Sequence, residues 1–457
     1  MATLQVVSLL RQAGHRVCFF DAMLAEEVSD YTRVLETERP QVVLLYEDNY
    51  NFLSKMCLGT MRRAASRMIA AAREQGARVI AAGPDVTDAP AAYLKAGADF
   101  ALVGEGLGAL LELLPRVEAA PGGDGVVVAH GINGIAVTDA GQTAIRPGSK
   151  LLPIAGDVGR AAWDLVDMER YRAMWVKAHG YFSLNMAASR GCPFRCAWCA
   201  KPIWGNQYAQ RNPIEVADEM GYLKRAFNPD HIWFADDIFG FRVDWVTEFA
   251  AAVKADGAGI PFTIQTRADL VGVRMAEALR EAGCREAWIG AESGSQRVLD
   301  AMNKGTTVAE LLHARRHLQD AGIRVGFFIQ LGYMGEDLPD ILATRELLEA
   351  ARPDEIGVSV SYPLPGTRFY ELVKAQLGGK TRWHESDDLD MMFEGTYSSS
   401  FYRSIRNLLH DQVELQSAAR ADGRELEAAR LAIDERWRDL VGRESQFRSR
   451  GPSAALG

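Results

Sequence analysis

From residue 181 to about 376 the chain repeats one pattern six times: a short run of apolar and β-branched residues, then a longer stretch with helical spacing. The runs fall at 181–188, 231–235, 261–266, 286–291, 324–331 and 355–361. The helical stretches fall at about 214–227, 243–255, 272–283, 295–303, 308–321, 338–351 and 366–376. Strands apolar on both faces, each followed by a helix, require a parallel sheet with covered faces. With right-handed crossovers, six such units make a partial (β/α)6 barrel, open on one side. Side chains that do chemistry in such a barrel collect at the strand C-termini.

The first strand runs into Ser189-Arg190-Gly191-Cys192-Pro193-Phe194-Arg195-Cys196-Ala197-Trp198-Cys199. Cys192, Cys196 and Cys199 are spaced C-x3-C-x2-C on one short loop at the catalytic rim. Three thiolates can hold three corners of a [4Fe–4S] cube and leave the fourth iron open to another ligand. A zinc knuckle is an alternative, although it needs a fourth ligand and no Cys or His closely follows Cys199. A disulfide pair, or buried apolar thiols, are the other readings.

Other polar groups end the strands. Asp236 and Asp237 end the second, Gln265 and Arg267 the third, Glu292 and Ser293 the fourth, and Gln330 the fifth. Tyr362, Pro363 and Pro365-Gly366-Thr367 follow the sixth. Any one of these can be a helix cap or a satisfied turn residue. Several on one rim point to a site.

Residues 1–118 also alternate, with helices at Leu4–Ala13, Met61–Glu74, Ala89–Ala96 and Leu107–Leu114. Strands are expected at Arg16–Phe20, Gln41–Tyr46, Arg78–Ala82 and Phe100–Val103. This reads as a Rossmann-like domain whose ligands lie beyond the strand C-termini. The turns Gly83-Pro84-Asp85 and Gly104-Glu105-Gly106 sit there. The domain opens on a helix, so its first strand is missing: either the start is set too late or the strand has been lost, which would expose sheet edges. Residues 119–180 form a connector with a hairpin ribbon expected at Val126–His130, Gly134–Val137 and Gln142–Ile145, ended by Pro147 to Pro153. Residues 377–457 read as helical. Trp383-His384-Glu385, Met391-Met392-Phe393, Tyr397 and Tyr402 either pack or lid the barrel, and the polar tail 442–457 is expected to be disordered.

Net charge is −9 over 457 residues with no basic run, which argues against binding a nucleic-acid backbone. No apolar run reaches transmembrane length, and the N-terminus has no leader pattern. Six cysteines, three of them in one motif, fit a reducing cytoplasm.

The cysteine loop with Trp198, the run Gly290-Ala291-Glu292-Ser293-Gly294-Ser295-Gln296, the stretch Lys304-Gly305-Thr306-Thr307 and Ser361–Thr367 together resemble the radical S-adenosylmethionine (SAM) superfamily. Over nearly the whole chain the likeness is to its cobalamin-binding branch, which includes anaerobic magnesium-protoporphyrin ester cyclases and methyltransferases. The resemblance implies three domains: a cobalamin-type Rossmann domain, a partial barrel over 181–376 and a helical C-terminal extension. It implies that Cys192, Cys196 and Cys199 hold the cluster and that Trp198 lies along the adenine. Glu292, with Ser293 beside it, would face the SAM ribose or amino group. Asp236 or Asp237 would meet the methionine ammonium, and Arg267 its carboxylate. Gly83, Gly104, Glu105 and Gly106 would lie at the cobalamin. The chain departs from the family where Asp21 is followed by Ala22-Met23-Leu24, without the histidine of Asp-x-His-x-x-Gly. The second strand ends Asp-Asp where other branches carry Gly-Gly-Glu. The expected activity is modification of an unactivated carbon, methyl transfer first, with a small-molecule or lipid-like substrate and an electron donor such as flavodoxin or ferredoxin. Radical cyclisation or oxidation, or a non-catalytic iron–sulfur or cobalamin protein, are the alternatives. No residue names the substrate or a catalytic acid or base.

Overall fold

The structure is a computed structural model, and it describes residues 1–47, 58–146, 160–199, 206–377, 389–421 and 426–449. The expectations for Pro147–Pro153, Trp383-His384-Glu385 and the end of the tail lie outside these. The chain divides into two compact units: residues 1–193 with 201–212, and residues 194–200 with 213–457. The division therefore falls inside the cysteine loop rather than at 181.

The first unit begins with helix α1 (Ala2–Gln12), which buries Leu4, Val6, Val7, Leu9 and Leu10. Helix α2 (Val28–Glu38) follows. It escapes a reading of apolar periodicity because, among its described side chains, only Tyr31 and Leu35, one turn apart, are buried; a capping box between Glu27 and Asp30 starts it. Strand β1 (Val42–Tyr46), helix α3 (Leu58–Glu74) and strand β2 (Arg78–Ala82) come next. Short helices α4 (Pro84–Asp88) and α5 (Pro90–Lys95) lead to β3 (Phe100–Leu102) and α6 (Leu107–Ala119).

Val126–His130 is not a strand. Residues Gly125–Val128 form helical turn α7, because the Asp124 carboxylate accepts from the Val126 and Val127 amides as an N-cap. The other two ribbon segments are strands β4 (Ile135–Asp139) and β5 (Gln142–Arg146). They do not form a free-standing hairpin in a connector. β4 pairs antiparallel with β3, so one sheet runs β1-β2-β3-β4-β5 and the domain extends to at least residue 146. Arg16–Phe20, expected as a strand, is extended but joins no ladder. Helix α8 (Met168–His179), strand β6 (Ser183–Met186) and the small antiparallel pair β7 (Ser189–Gly191) and β8 (Tyr208–Gln210) complete the unit.

The second unit follows the βα reading closely. Helix α9 (Pro213–Phe227) is followed by β9 (His231–Phe234), α10 (Val243–Ala255), β10 (Phe262–Thr266) and α11 (Val273–Ala282). Then come β11 (Cys284–Glu292), α12 (Gln296–Ala301), α13 (Val308–Asp320), β12 (Arg324–Leu331), α14 (Leu338–Ala351), β13 (Glu355–Val360) and α15 (Arg368–Val373). The strands lie in the order β13-β12-β11-β10-β9, all parallel. Phe234, Phe239, Phe249 and Phe262 are almost fully buried, with ring centroids 4.7–6.1 Å apart and mostly edge-on, the arrangement that aromatic quadrupoles favour. On β12, Gly326 leaves room for the Trp288 ring: a Cβ there would lie 2.5 Å from it. Trp288 instead stacks on Phe328 at 4.7 Å.

Helices α16 (Ser399–Ala421), α17 (Leu426–Gly442) and α18 (Glu444–Phe447) form the extension. Met391, Met392, Phe393, Tyr397 and Tyr402 are all buried in it, so they pack. The expected disorder from residue 442 does not hold through 449: α18 forms, and Arg448 bridges to Tyr397.

Candidate functional site

In the second unit the loop from Phe194 to Cys199 is pinned by backbone hydrogen bonds. The Ala197 amide donates to the Met302 carbonyl (2.8 Å), and the Ala197 carbonyl accepts from the Phe369 amide (2.9 Å). The Asn303 side-chain amide donates to the Arg195 carbonyl (2.8 Å). The turn after α12 and the start of α15 therefore hold the loop from two directions. Within it the Cys199 amide donates to the Cys196 carbonyl. Cys192 is buried, and Cys196 and Cys199 are half-buried.

Arg267, just past β10, is the loop's main side-chain support. Its guanidinium donates to both Asp269 oxygens (2.9 and 3.1 Å) and to the Lys304 carbonyl (2.8 Å). It also donates to the Cys196 sulfur at 3.7 Å and lies 3.6 Å from the centroid of the Phe194 ring. The side chain is buried, and its fork is turned to Asp269 and the cysteine loop.

Glu292 closes β11 in a left-handed conformation, φ +62°, where the β11–β12 register is irregular. Such a backbone is strained for a residue with a Cβ. Its carboxylate accepts from the buried Lys304 ammonium at 2.8 Å, and that ammonium lies 5.3 Å from the Trp198 ring centroid. A Cβ at Gly290 would fall 2.5 Å from Glu292 Oε1 and 2.7 Å from Lys304 Nζ, so a larger residue there would force the pair to shift. Lys304 was visible in the sequence only as part of a resemblance; an i,i+12 ion pair across a turn has no periodic signal.

Ser293 is buried at the turn after β11. Its hydroxyl shares a hydrogen bond with Thr344 (3.2 Å) and accepts from the Ser295 amide, while the Gly294 backbone lies against Ala343. This docks the Glu-Ser-Gly turn on α14. Asp236 is buried and Asp237 exposed. Among the described residues, buried Gln330 Oε1 and Ser361 Oγ at strand ends and Thr306 Oγ1 in the turn before α13 lack a hydrogen-bond partner. Buried polar groups are rarely left so, and a bound polar ligand would satisfy them. Among the described residues, no three His, Cys, Asp or Glu side chains already stand together as a metal-ligand set.

In the first unit Gly83, at φ +139°, packs against Glu47, whose carboxylate accepts from the Asp85 amide (3.0 Å). Asp85 is buried, paired with Arg62 and bonded to the Tyr93 hydroxyl (2.8 Å). Gly104 and Gly106 both have positive φ, and the Gly104 amide donates to Thr87 (3.1 Å). Glu105 forms a buried ion pair with Arg190, a pairing 85 residues apart that no local pattern could reveal.

Residues 186–348 match the family model described as the Radical SAM superfamily. An uncharacterized methyltransferase of Pyrococcus horikoshii is 27% identical over 243 residues, 53% of this chain and 52% of its own. The anaerobic magnesium-protoporphyrin IX monomethyl ester cyclase of Rubrivivax gelatinosus is 25% identical over 282 residues, 61% of this chain and 48% of its own. The chain thus spans about half the length of the curated relatives it matches. The structure of the radical S-adenosylmethionine methyltransferase TsrM from Kitasatospora setae, solved with cobalamin and a [4Fe-4S] cluster bound, shares the fold. Its TM-score is 0.67 at 19% identity, over 83% of this chain and 72% of that one.

Proposed function

We propose that this chain, whose residues 186–348 belong to the radical SAM superfamily, is an enzyme that cleaves SAM reductively and modifies an unactivated carbon, by methyl transfer. The observation that carries the reading is the loop Cys192-x3-Cys196-x2-Cys199 beside the buried Arg267 and the Lys304–Glu292 pair at the ends of parallel strands. The donor set fits the group: three soft thiols with no hard carboxylate among them, one of them already receiving an N–H from Arg267.

A [4Fe–4S] cluster held by Cys192, Cys196 and Cys199 would supply one electron and an open iron position for SAM. Cobalamin, at the Gly83 and Gly104-Glu105-Gly106 turns, would supply a methyl carrier. The chain's own residues do the positioning. Arg267 orients Cys196 and neutralises thiolate charge. Lys304 holds Glu292 in its strained conformation and presents a cation at the Trp198 ring face. Glu292 and the buried Asp236 offer carboxylates for the SAM hydroxyl and ammonium groups. Trp198, half-buried, offers a surface for the adenine. The closed core behind them excludes water from a radical site.

No helix is long and apolar enough to cross a membrane among the described residues. A small-molecule or lipid-like substrate, a one-electron donor such as flavodoxin or ferredoxin, and a cytoplasmic setting belong to this proposal. The similarity to a cyclase favours one second reading, radical cyclisation or oxidation without methyl transfer. Anaerobic reconstitution with iron and sulfide tests both. A cluster EPR signal that SAM perturbs, with 5′-deoxyadenosine or S-adenosylhomocysteine formed on reduction, supports the enzyme. Labelled SAM methyl appearing in product selects methyl transfer, and its absence selects the second reading. A cluster blind to SAM, or a Cys192→Ala protein that behaves like the parent, overturns both.

A further inference from the structure

The first unit contains a cavity of about 1160 Å³ between strand β1 and the extended segment Arg16–Asp21. Its other walls are two helical layers: Leu4, Val7 and Leu10 of α1 on one side, and Tyr31, Ala65 and Met68 of α2 and α3 on the other. It is thus a slot in the sheet layer, with the layers above and below in place.

Both edges of the slot are already patterned as strands. On β1, Val42, Leu44 and Tyr46 pack toward the cluster that contains α1, while Val43 and Leu45 pack toward the cluster of α2 and α3. Across the slot, Val17 joins the first cluster and Phe20 the second, as period-two alternation requires. Among the described residues the β1 ladder runs to β2 only: the Glu47 amide donates to Ala82 and the Gln41 carbonyl accepts from Arg78. Alternate residues of a parallel strand bond to opposite sides, so the backbone polar groups of Val42 and Leu44 face the slot. All five residues of β1 are only half-buried, whereas four of the five on β2 are fully buried.

We propose that the slot is a strand-binding site, and that its occupant is an extended apolar segment joined to the amino end of α1 and parallel to β1. The position of α1 selects this occupant. Its first turn lies at the C-terminal end of β1, where the Thr3 hydroxyl donates to the Tyr46 carbonyl at 3.3 Å. A strand that ends there and enters α1 crosses over to Arg16–Phe20 as a βαβ unit, the connection with a fixed right hand. A central strand between two helical layers is apolar on both faces, so about five residues rich in Val, Ile and Leu, spanning roughly 17 Å, fit the span of β1.

The test is hydrogen exchange on the full chain, alone and carrying a short Val/Ile/Leu segment and turn fused before Met1. In the chain alone, the Val42 and Leu44 amides exchange about tenfold or more faster than those of Val43 and Leu45, which bond to β2. The fused segment removes that difference and raises the thermal midpoint, and a Ser/Gly segment of the same length does neither. Val42 and Leu44 amides already as slow as their neighbours in the chain alone would overturn the proposal, because Arg16–Phe20 would then be closing the slot itself. Protection by the same peptide added in trans but not when fused, or protection that appears only with dimerisation, would also overturn it, assigning the slot to a partner or to a second copy.

Discussion

β1 of the first unit and β12 of the second are both short apolar strands followed by a helix, yet they end in different states. β12 pairs on both sides, with β11 and β13, and six of its eight residues are buried. Among the described residues β1 pairs on one side, and none of its five residues is fully buried. β1 is the more apolar of the two, since Val42–Tyr46 holds no charged or amide side chain whereas β12 includes Arg324 and Gln330. Burial therefore follows the number of neighbours that the topology supplies rather than the hydrophobicity of the strand. The same contrast separates the polar sites. In the second unit buried atoms at the strand ends, Gln330 Oε1 and Ser361 Oγ, have no hydrogen-bond partner among the described residues. In the first, the corresponding turns engage their charges internally, Asp85 with Arg62 and Glu105 with Arg190.

The largest effect is expected at the cysteine loop. Cys196→Ser should reduce cluster absorbance after reconstitution, and SAM cleavage, to background, because serine is a hard and poorly matched donor. Next comes Gly290→Ala, whose Cβ would displace the Glu292–Lys304 pair. Leaving a buried charge badly paired costs about 3 kcal/mol or more, and calorimetry should show a drop in melting temperature together with weakened SAM binding. In the first unit Arg62→Ala strands the buried Asp85 carboxylate. It should cost about 2–3 kcal/mol in denaturant unfolding without changing cluster absorbance, which sharpens the contrast between the units.

A pH-dependent effect follows. Burial raises the Glu336 carboxyl to about 8, while the Gly332 amide that donates to it opposes the rise. Among the described residues, Oε1 of Glu336 and the buried Tyr402 hydroxyl have no hydrogen-bond partner. From about pH 4.3, where the unfolded carboxyl titrates, up to about pH 8, the folded chain keeps a proton that the unfolded chain has released. Stability contributed by the neutral form is present at low pH and lost as pH rises through that window. Glu336→Gln should flatten this slope and, at pH 8, make the protein more stable than the parent by roughly 1–3 kcal/mol. Smallest is Thr307→Ala, which removes the capping box that starts α13 and should cost about 1 kcal/mol.

Much of the second unit was legible because each element carries its own signal. The capping box Thr307–Glu310, the apolar run of β12 and the spacing of the three cysteines are all local. The first unit was less so. α2 buries too few residues to show a period, α7 is set by a single Asp124 cap, and β4 and β5 look like a separate hairpin until β3 is beside them. The roles of Arg267 and Lys304 were hidden for a related reason: each is defined by partners on other elements, Cys196 and Phe194 for one, Glu292 and Trp198 for the other.

The sequence by itself determined the order of strands and helices, the thiol spacing and which strand ends are polar, since these depend on composition and period within a few residues. Tertiary structure decided which partners and which burial the polar groups took: Ser293 bonds to α14, Asp236 is buried where Asp237 is exposed, and Arg267 bonds to the cysteine loop. It also decided that Arg16–Phe20 stands apart from β1. A strand forms only when another backbone lies at hydrogen-bonding distance, and no property of those five residues can supply it.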